Sequence, residues 1–317
     1  MLFCPDLATG LTTQNISDKL AEKVFGDSGF ANLLKARYDQ MGELFRYAHY
    51  DNPHWDLKES FSGCKNKADR DKKDARLVVP RSRLVNAPQN VTRLFDYDNF
   101  GHDMPVWVSY NQDPNAKRVM IVSQDPLRGS RNAKDAKGSL YLSTPFGIHS
   151  PDFENGGMDS RVHDMLNAFL DAGFCVYLTD NMKYYATREN NRGEDVNIVS
   201  FGRRDKNGYK ARFSGTIRCE IQKFDPQLII TLGVKARGAE WTDSILSFVQ
   251  HPREGMLPRS IEYVDDNGAK VARYAMALVH PSRANDWIVR WQLEPAGAGG
   301  ADRYFKRAIE KAITQLQ

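Results

Sequence analysis

The chain has 317 residues, 41% of them hydrophobic and 26% charged, with a formal net charge of +4. That balance supplies a sizeable core, offers no apolar run of bilayer length, and leans mildly toward polyanionic partners. "MLFCPDLATG" at the N-terminus has no basic segment followed by an apolar one, and Cys4, Cys64, Cys175 and Cys219 are far apart with no CxxC. The expectation is therefore a cytoplasmic chain with no membrane segment, secretory signal, disulfide framework or zinc knuckle.

Residues 30–48 place Leu34, Tyr38, Met41, Phe45 and Ala48 at spacings of four and three, which predicts an amphipathic helix. "CKNKADRDKKDARLVVPRSR" (64–83) then carries eight basic residues against three acidic ones. It reads either as a solvated linker or as an arm that touches phosphates. Residues 1–100 are thus expected to be a mainly helical extension, and 101–317 a separate domain.

From residue 101 strands and helices alternate. "MPVWVSY" (104–110) alternates like an edge strand, and "RVMIVSQDPLRGS" (118–130) opens with an apolar run suited to a strand covered on both faces. Gln124, Asp125 and Pro126 stop that run, and Gly129 and Ser130 supply turn chemistry. Residues 159–172 predict a helix with Val162, Met165, Leu166 and Phe169 on one face, Asp159 or Ser160 as cap and Gly173 as stop. "FCVYLTD" (174–180) is the next strand, followed by a polar loop over 188–211. A helix carrying Phe213, Ile217, Ile221 and Phe224 comes next, and then the short buried strand "LIITLG" (228–233). Residues 261–281 read as two strands joined at Asp266-Asn267-Gly268. "EPAGAGG" (294–300) is a connector, and 302–316 a closing helix. This order implies an α/β fold: a three-layer αβα sandwich around a short, mostly parallel sheet.

Three strands end in unusual polar chemistry: Gln124-Asp125-Pro126, Thr179-Asp180-Asn181-Met182-Lys183, and His280-Pro281-Ser282-Arg283-Ala284-Asn285. A parallel sheet gathers such ends at one edge, where open α/β sheets bind ligands.

These segments, in this order, resemble the uracil-DNA glycosylase superfamily. "VMIVSQDP" is similar to its first motif, a strand ending in Gly-Gln-Asp-Pro, and "VHPSRAN" to its His-Pro-Ser loop. "VYLTDNMK" and "FDPQLIITLGVKA" resemble a strand ending near the base-reading Asn and a Pro-x-x-Ile-x-x-Leu-Gly-x-x-Ala segment. The resemblance spans about residues 101–317. It implies hydrolysis of the bond between a flipped base and its deoxyribose, in DNA.

Breaking that bond leaves positive charge on the sugar and negative charge on the base, so an anion is needed on one side and donors on the other. Asp125, with an ordinary carboxyl pKa of about 3.9, is ionised at neutral pH and suits the first role. By the resemblance, His280 donates to the pyrimidine O2 as charge builds. Gln124, Leu127, Tyr141, Phe146, Asp180 and Asn181 are the candidates for holding the base, with Tyr141 and Phe146 alternative stacking partners. Ser282 suits a phosphate contact. Arg283, Ala284 and Asn285 occupy the stretch that the family pushes into the duplex behind the flipped base. Arg128, in a basic loop, is a candidate for the DNA rim.

Two departures bear on which base is read. The family's uracil enzymes often carry Tyr after the Asp-Pro, where it crowds the pyrimidine C5; this chain has Leu127. Asp180 stands where Asn is expected, and an ionised Asp only accepts hydrogen bonds, which suits the N4 amine of cytosine. A shift of one residue gives that role to Asn181 and restores a uracil reader.

The expected activity is therefore a monofunctional DNA glycosylase that leaves an abasic site. It leans to a C5-modified cytosine such as the hydroxymethylated or glucosylated base of phage DNA, which would point to phage defence. Uracil excision in repair is the nearest alternative, and a catalytically silent DNA-binding member of the fold is another. DNA is the expected partner, with no obligatory protein partner. No close cysteine pair accompanies Cys4 or Cys64, so no iron–sulfur cluster, other metal or cofactor is expected.

Overall fold

The computed structural model describes residues 77–79, 99–103, 106–108, 115–123, 140–143, 145–147, 159–181, 184–189, 195–197, 216–233, 251–252, 256–265, 267–295 and 299–317. The helix expected over 30–48 and most of the basic stretch lie outside these residues. The first five strands are β1 (Leu77–Val79), β2 (Asn99–Asp103), β3 (Val106–Val108), β4 (Arg118–Ser123) and β5 (Leu140–Ser143). After a 3-10 turn (Pro145–Gly147) come α1 (Asp159–Asp171), β6 (Cys175–Asp180), β7 (Tyr184–Glu189), β8 (Asp195–Asn197), α2 (Thr216–Phe224) and β9 (Leu228–Leu232). The chain closes with β10 (Arg259–Val264), β11 (Lys270–Leu278), a 3-10 turn (Pro281–Arg283), α3 (Ala284–Arg290) and α4 (Gly300–Leu316).

One sheet has six strands in the order β10-β11-β9-β4-β6-β3. Its four central strands are mutually parallel, and β10 and β3 run antiparallel at the edges. The expected edge strand over 104–110 is thus β3. Val119, Met120, Ile121 and Val122 are fully buried, as are Ile229 and Ile230. Continuous apolar runs at these positions follow from burial on both faces. Each such side chain contributes about 1.5–3 kcal/mol relative to exposure, against a backbone ordering cost of about 1–2 kcal/mol per residue.

Alternation along the strands divides the core. Val119, Ile121, Val176, Leu178 and Ile230 meet α1, α3 and α4 through Leu166, Phe169, Ile288, Tyr304 and Phe305. Met120, Val122, Tyr177 and Ile229 meet α2 through Ile217, Ile221 and Phe224. The result is an α/β fold, a mostly parallel sheet with helices on it. α1 ends as its sequence predicts. Gly173, at φ +83, donates its N–H to the Leu170 carbonyl, and the Phe174 N–H reaches Phe169 O, which closes the last turn. In the β10–β11 hairpin, the Asp265 carboxylate accepts the N–H groups of Asn267 and Ala269 at 2.9 and 2.8 Å. The connection is five residues long, and not a two-residue Asn-Gly turn.

A second sheet, in the order β1-β5-β2-β7-β8, is absent from the sequence expectations. β7 and β8 occupy part of the stretch read as polar loop, and β1 part of the stretch read as linker. Leu77, Val78 and Val79 pair with Leu142, Tyr141 and Leu140 of β5, so this segment of the first hundred residues is joined to the rest by a strand pairing.

Candidate active site

Strand register lines up the carboxyl ends of the parallel strands. Ser123 of β4 pairs with Asp180 of β6, Val122 with Thr231 of β9, and Leu232 of β9 with Leu278 of β11. β4 and β11 are separated by β9 alone, which at the usual strand spacing is about 10 Å. β11 leads within two residues to His280. β4 leads to Gln124, Asp125, Leu127 and Arg128, which lie outside the described residues.

His280 is fitted closely. Gly233, the residue after β9, donates its N–H to the Leu278 carbonyl at 2.7 Å. Its φ is +86, and a Cβ there would stand 3.0 Å from the His280 Cβ. The glycine of "LIITLG" is favoured by its left-handed backbone, and a side chain there would also crowd the His280 Cβ. On another side the Phe146 ring lies with its centroid 6.1 Å from that of His280, tilted by 33°. Phe146 has φ +58, uncommon for an aromatic residue. Its packing against the core on the α1 and α4 face holds it in that conformation. Burial pushes the His280 pKa from 6.5 down to about 4, because enclosure disfavours the cation. At neutral pH the ring is an uncharged donor and acceptor.

The two aromatic candidates lie in different parts of the fold. Phe146 adjoins His280, whereas Tyr141 belongs to β5 of the second sheet, where it pairs with Val78 and Gly101. The 3-10 turn that carries Phe146 also packs against β6. At the end of β6, Asp180 is 2% and Asn181 0% exposed. The Ser123 hydroxyl donates to Asp180 Oδ1, and the Asn181 N–H donates to the Ser123 carbonyl at 2.9 Å. Asp180 follows the alternation of Val176 and Leu178, and so shares the face on which Phe146 packs.

Beyond His280 the chain turns at once, the Arg283 N–H donating to the His280 carbonyl at 3.0 Å. Ser282 stands in this turn, two residues past the imidazole. Arg283 and Asn285 are exposed. Ala284 is a correction: it is 1% exposed and packed in the core, so it anchors α3 and cannot enter a duplex. α3 also presents Arg290, whose guanidinium lies 5.1 Å from the Trp287 ring centroid, and Trp287 stacks on Trp291 at 4.5 Å.

Two polar residues escaped the sequence expectations. Glu220 of α2 is 4% exposed and accepts the Tyr177 and Thr179 hydroxyls, both at 3.0 Å, just beneath the end of β6. Ser123 lay in a quoted motif, and its partnership with Asp180 spans 57 positions that no local pattern connects. Among the described residues no three His, Cys, Asp or Glu side chains converge as metal ligands would, and no helix is long and apolar enough to cross a membrane.

A neutral imidazole, an aromatic side chain and a buried carboxyl thus lie at one sheet edge, near the exposed Arg283. The chain matches no known family model, and no curated protein is significantly similar to it.

Proposed function

We propose that this chain is a monofunctional DNA glycosylase of the uracil-DNA glycosylase type, a three-layer αβα sandwich with an N-terminal extension. It takes a flipped pyrimidine at the carboxyl edge of β4, β9 and β11. The observation that carries the reading is the pairing of His280 with Phe146, 6.1 Å between ring centroids, against the glycine that ends β9. Phe146 stacks on the base, and the uncharged His280 donates a hydrogen bond to the pyrimidine O2. Such a donor strengthens as negative charge gathers on the leaving base. Asp125, two residues past β4, orients the attacking water and faces the positive charge of the sugar. The bond between C1′ and the base breaks with its electron pair on the base, water supplies the hydroxyl to C1′, and its proton ends on the released base. No cofactor takes part.

Asp180 reads the base edge. Its shared face with Phe146 favours it over Asn181, and together with Leu127 in place of a crowding Tyr it directs the site to a C5-modified cytosine. Arg283 and Asn285 fill the gap that the flipped nucleotide leaves, while Ser282 and Arg128 contact phosphates. A chain with this preference would damage modified phage DNA and leave the host's own DNA intact, acting in the cytoplasm. Uracil excision remains the second reading, favoured by the amide of Asn181 next door. The test is incubation with duplexes carrying uracil, cytosine, 5-hydroxymethylcytosine or its glucosylated form, followed by alkali. Cleavage at the modified cytosines supports the proposal. Cleavage at uracil alone replaces the substrate, and cleavage nowhere leaves a silent DNA-binding protein.

A further inference from the structure

Past Leu278 the sheet ladder ends, and backbone groups of the residues on either side of His280 find side-chain partners. The Val279 N–H points to the Tyr304 hydroxyl at 3.4 Å, and the Pro281 carbonyl accepts from Arg161 Nη1 at 3.2 Å. Arg161 is itself held, its Nε donating to Asp302 Oδ1 at 2.7 Å. Tyr304 is fully buried, and the Arg161 side chain is 15% exposed. Burial pushes the Tyr304 pKa upward, so its hydroxyl stays neutral. Two helices therefore grip one peptide group before the imidazole and one after it, and Asp302 and Tyr304 both belong to the start of α4.

We propose that Arg161 and Tyr304 are positioning residues for His280, a clamp on the two sides of the imidazole braced by Asp302. This rests on the glycosylase reading for its catalytic consequence. Arginine is the residue such a clamp requires. Its planar fork makes one bond to Pro281 and another to Asp302 in different directions, whereas lysine offers a single point charge. A backbone carbonyl gripped by a guanidinium is also held more firmly than one bonded to a neutral donor. Backbone held in this way moves little, and the position of a donor within about 1 Å decides much of its effect on rate.

The test uses the full chain with Arg161→Gln, Arg161→Lys, Asp302→Asn and Tyr304→Phe, on whichever duplex the wild type cleaves. Arg161→Gln is expected to slow single-turnover base release by roughly ten- to a hundredfold, with DNA affinity changed less than about twofold. Arg161→Lys should recover part of the rate, and Asp302→Asn, at an exposed carboxylate, should lose less than Arg161→Gln. Proton NMR supplies a second readout, the His280 resonance being assigned by its disappearance in His280→Gln. It should shift in each clamp variant and stay in place in Arg273→Gln, which lies at the opposite sheet edge. Wild-type rate together with an unmoved His280 resonance in Arg161→Gln and Tyr304→Phe would overturn the clamp. A wild type that releases no base sinks the glycosylase reading alone, since the NMR comparison still decides whether the clamp holds the ring. Should Arg161→Gln fail to fold, Asp302→Asn carries both readouts.

Discussion

The two ends of the six-stranded sheet are built from the same parallel strands and carry opposite chemistry. At the amino end, Lys117, Asp225, Gln227 and Arg273 are among the residues lining an open depression of about 410 Å³. Its charges serve one another and the backbone. Arg273 pairs with Asp225, Arg118 reaches the Phe224 carbonyl at 3.0 Å, and Lys117 reaches the Leu316 carbonyl. At the carboxyl end the polar groups are enclosed: Ser123 with Asp180, Asn181, and a His280 whose burial holds it uncharged. Exposed pairs that tie chain ends together are the inexpensive way to finish a sheet. Polar groups enclosed at a strand end are costly to bury, and it is on this enclosure that the proposed function places its site.

The sharpest way to break that contrast is to remove the carboxylate that follows β4. Asp125→Asn is expected to lower base release by roughly 10²- to 10⁴-fold, read by alkali cleavage under single-turnover conditions. A rate within twofold of wild type would remove the carboxyl end's claim to chemistry. The second largest effect is on stability against pH. The folded His280 value of about 4 lies below the ordinary 6.5. Between those values the unfolded chain binds a proton on this ring and the native chain does not. Stability is therefore full above about pH 6.5 and declines as pH falls toward 4. Urea unfolding of wild type should lose about 1.6 kcal/mol more than His280→Gln between about pH 6.5 and 5. Parallel pH slopes would mean that the imidazole is hydrated.

Gly233→Ala sharpens the contrast further. It forces an alanine into a left-handed backbone at a cost of about 1–2 kcal/mol, and presses its Cβ on His280. Base release should fall along with the urea midpoint, and an unchanged rate in the folded variant would show that the imidazole position matters little. Smallest is Arg273→Gln at the amino end, where loss of a partly exposed pair should cost about 0.2–1 kcal/mol and leave base release untouched.

How far the sequence displays all this depends on the kind of signal. β4, β6 and β9 are legible because strands buried on both faces must be apolar throughout, and α1 because its periodic face ends at a glycine. β7 and β8 of the second sheet are not, since "TRE" of β7 and "DVN" of β8 carry no apolar run, and the other partner of β7 is β2, far back along the chain. At the site, His280 and Phe146 stood out as residue types, but their adjacency did not. The Arg161 contact joins positions 120 residues apart, beyond the reach of any local pattern. Ala284 misled because a motif assigns positions to a loop without saying which of them face the core.

One measurement bears most directly on the central proposal, that the carboxyl end holds a single flipped base stacked on Phe146 with its O2 facing His280. It is mass-spectrometric detection of free base from a duplex with one 5-hydroxymethylcytosine, using wild type, His280→Gln and Phe146→Ala. Stoichiometric free 5-hydroxymethylcytosine is expected with wild type and a rate at least tenfold lower with either variant, each stacking or donor contact contributing about 1.4 kcal/mol or more. Wild-type rates in both variants, or no free base from any pyrimidine duplex, would contradict it.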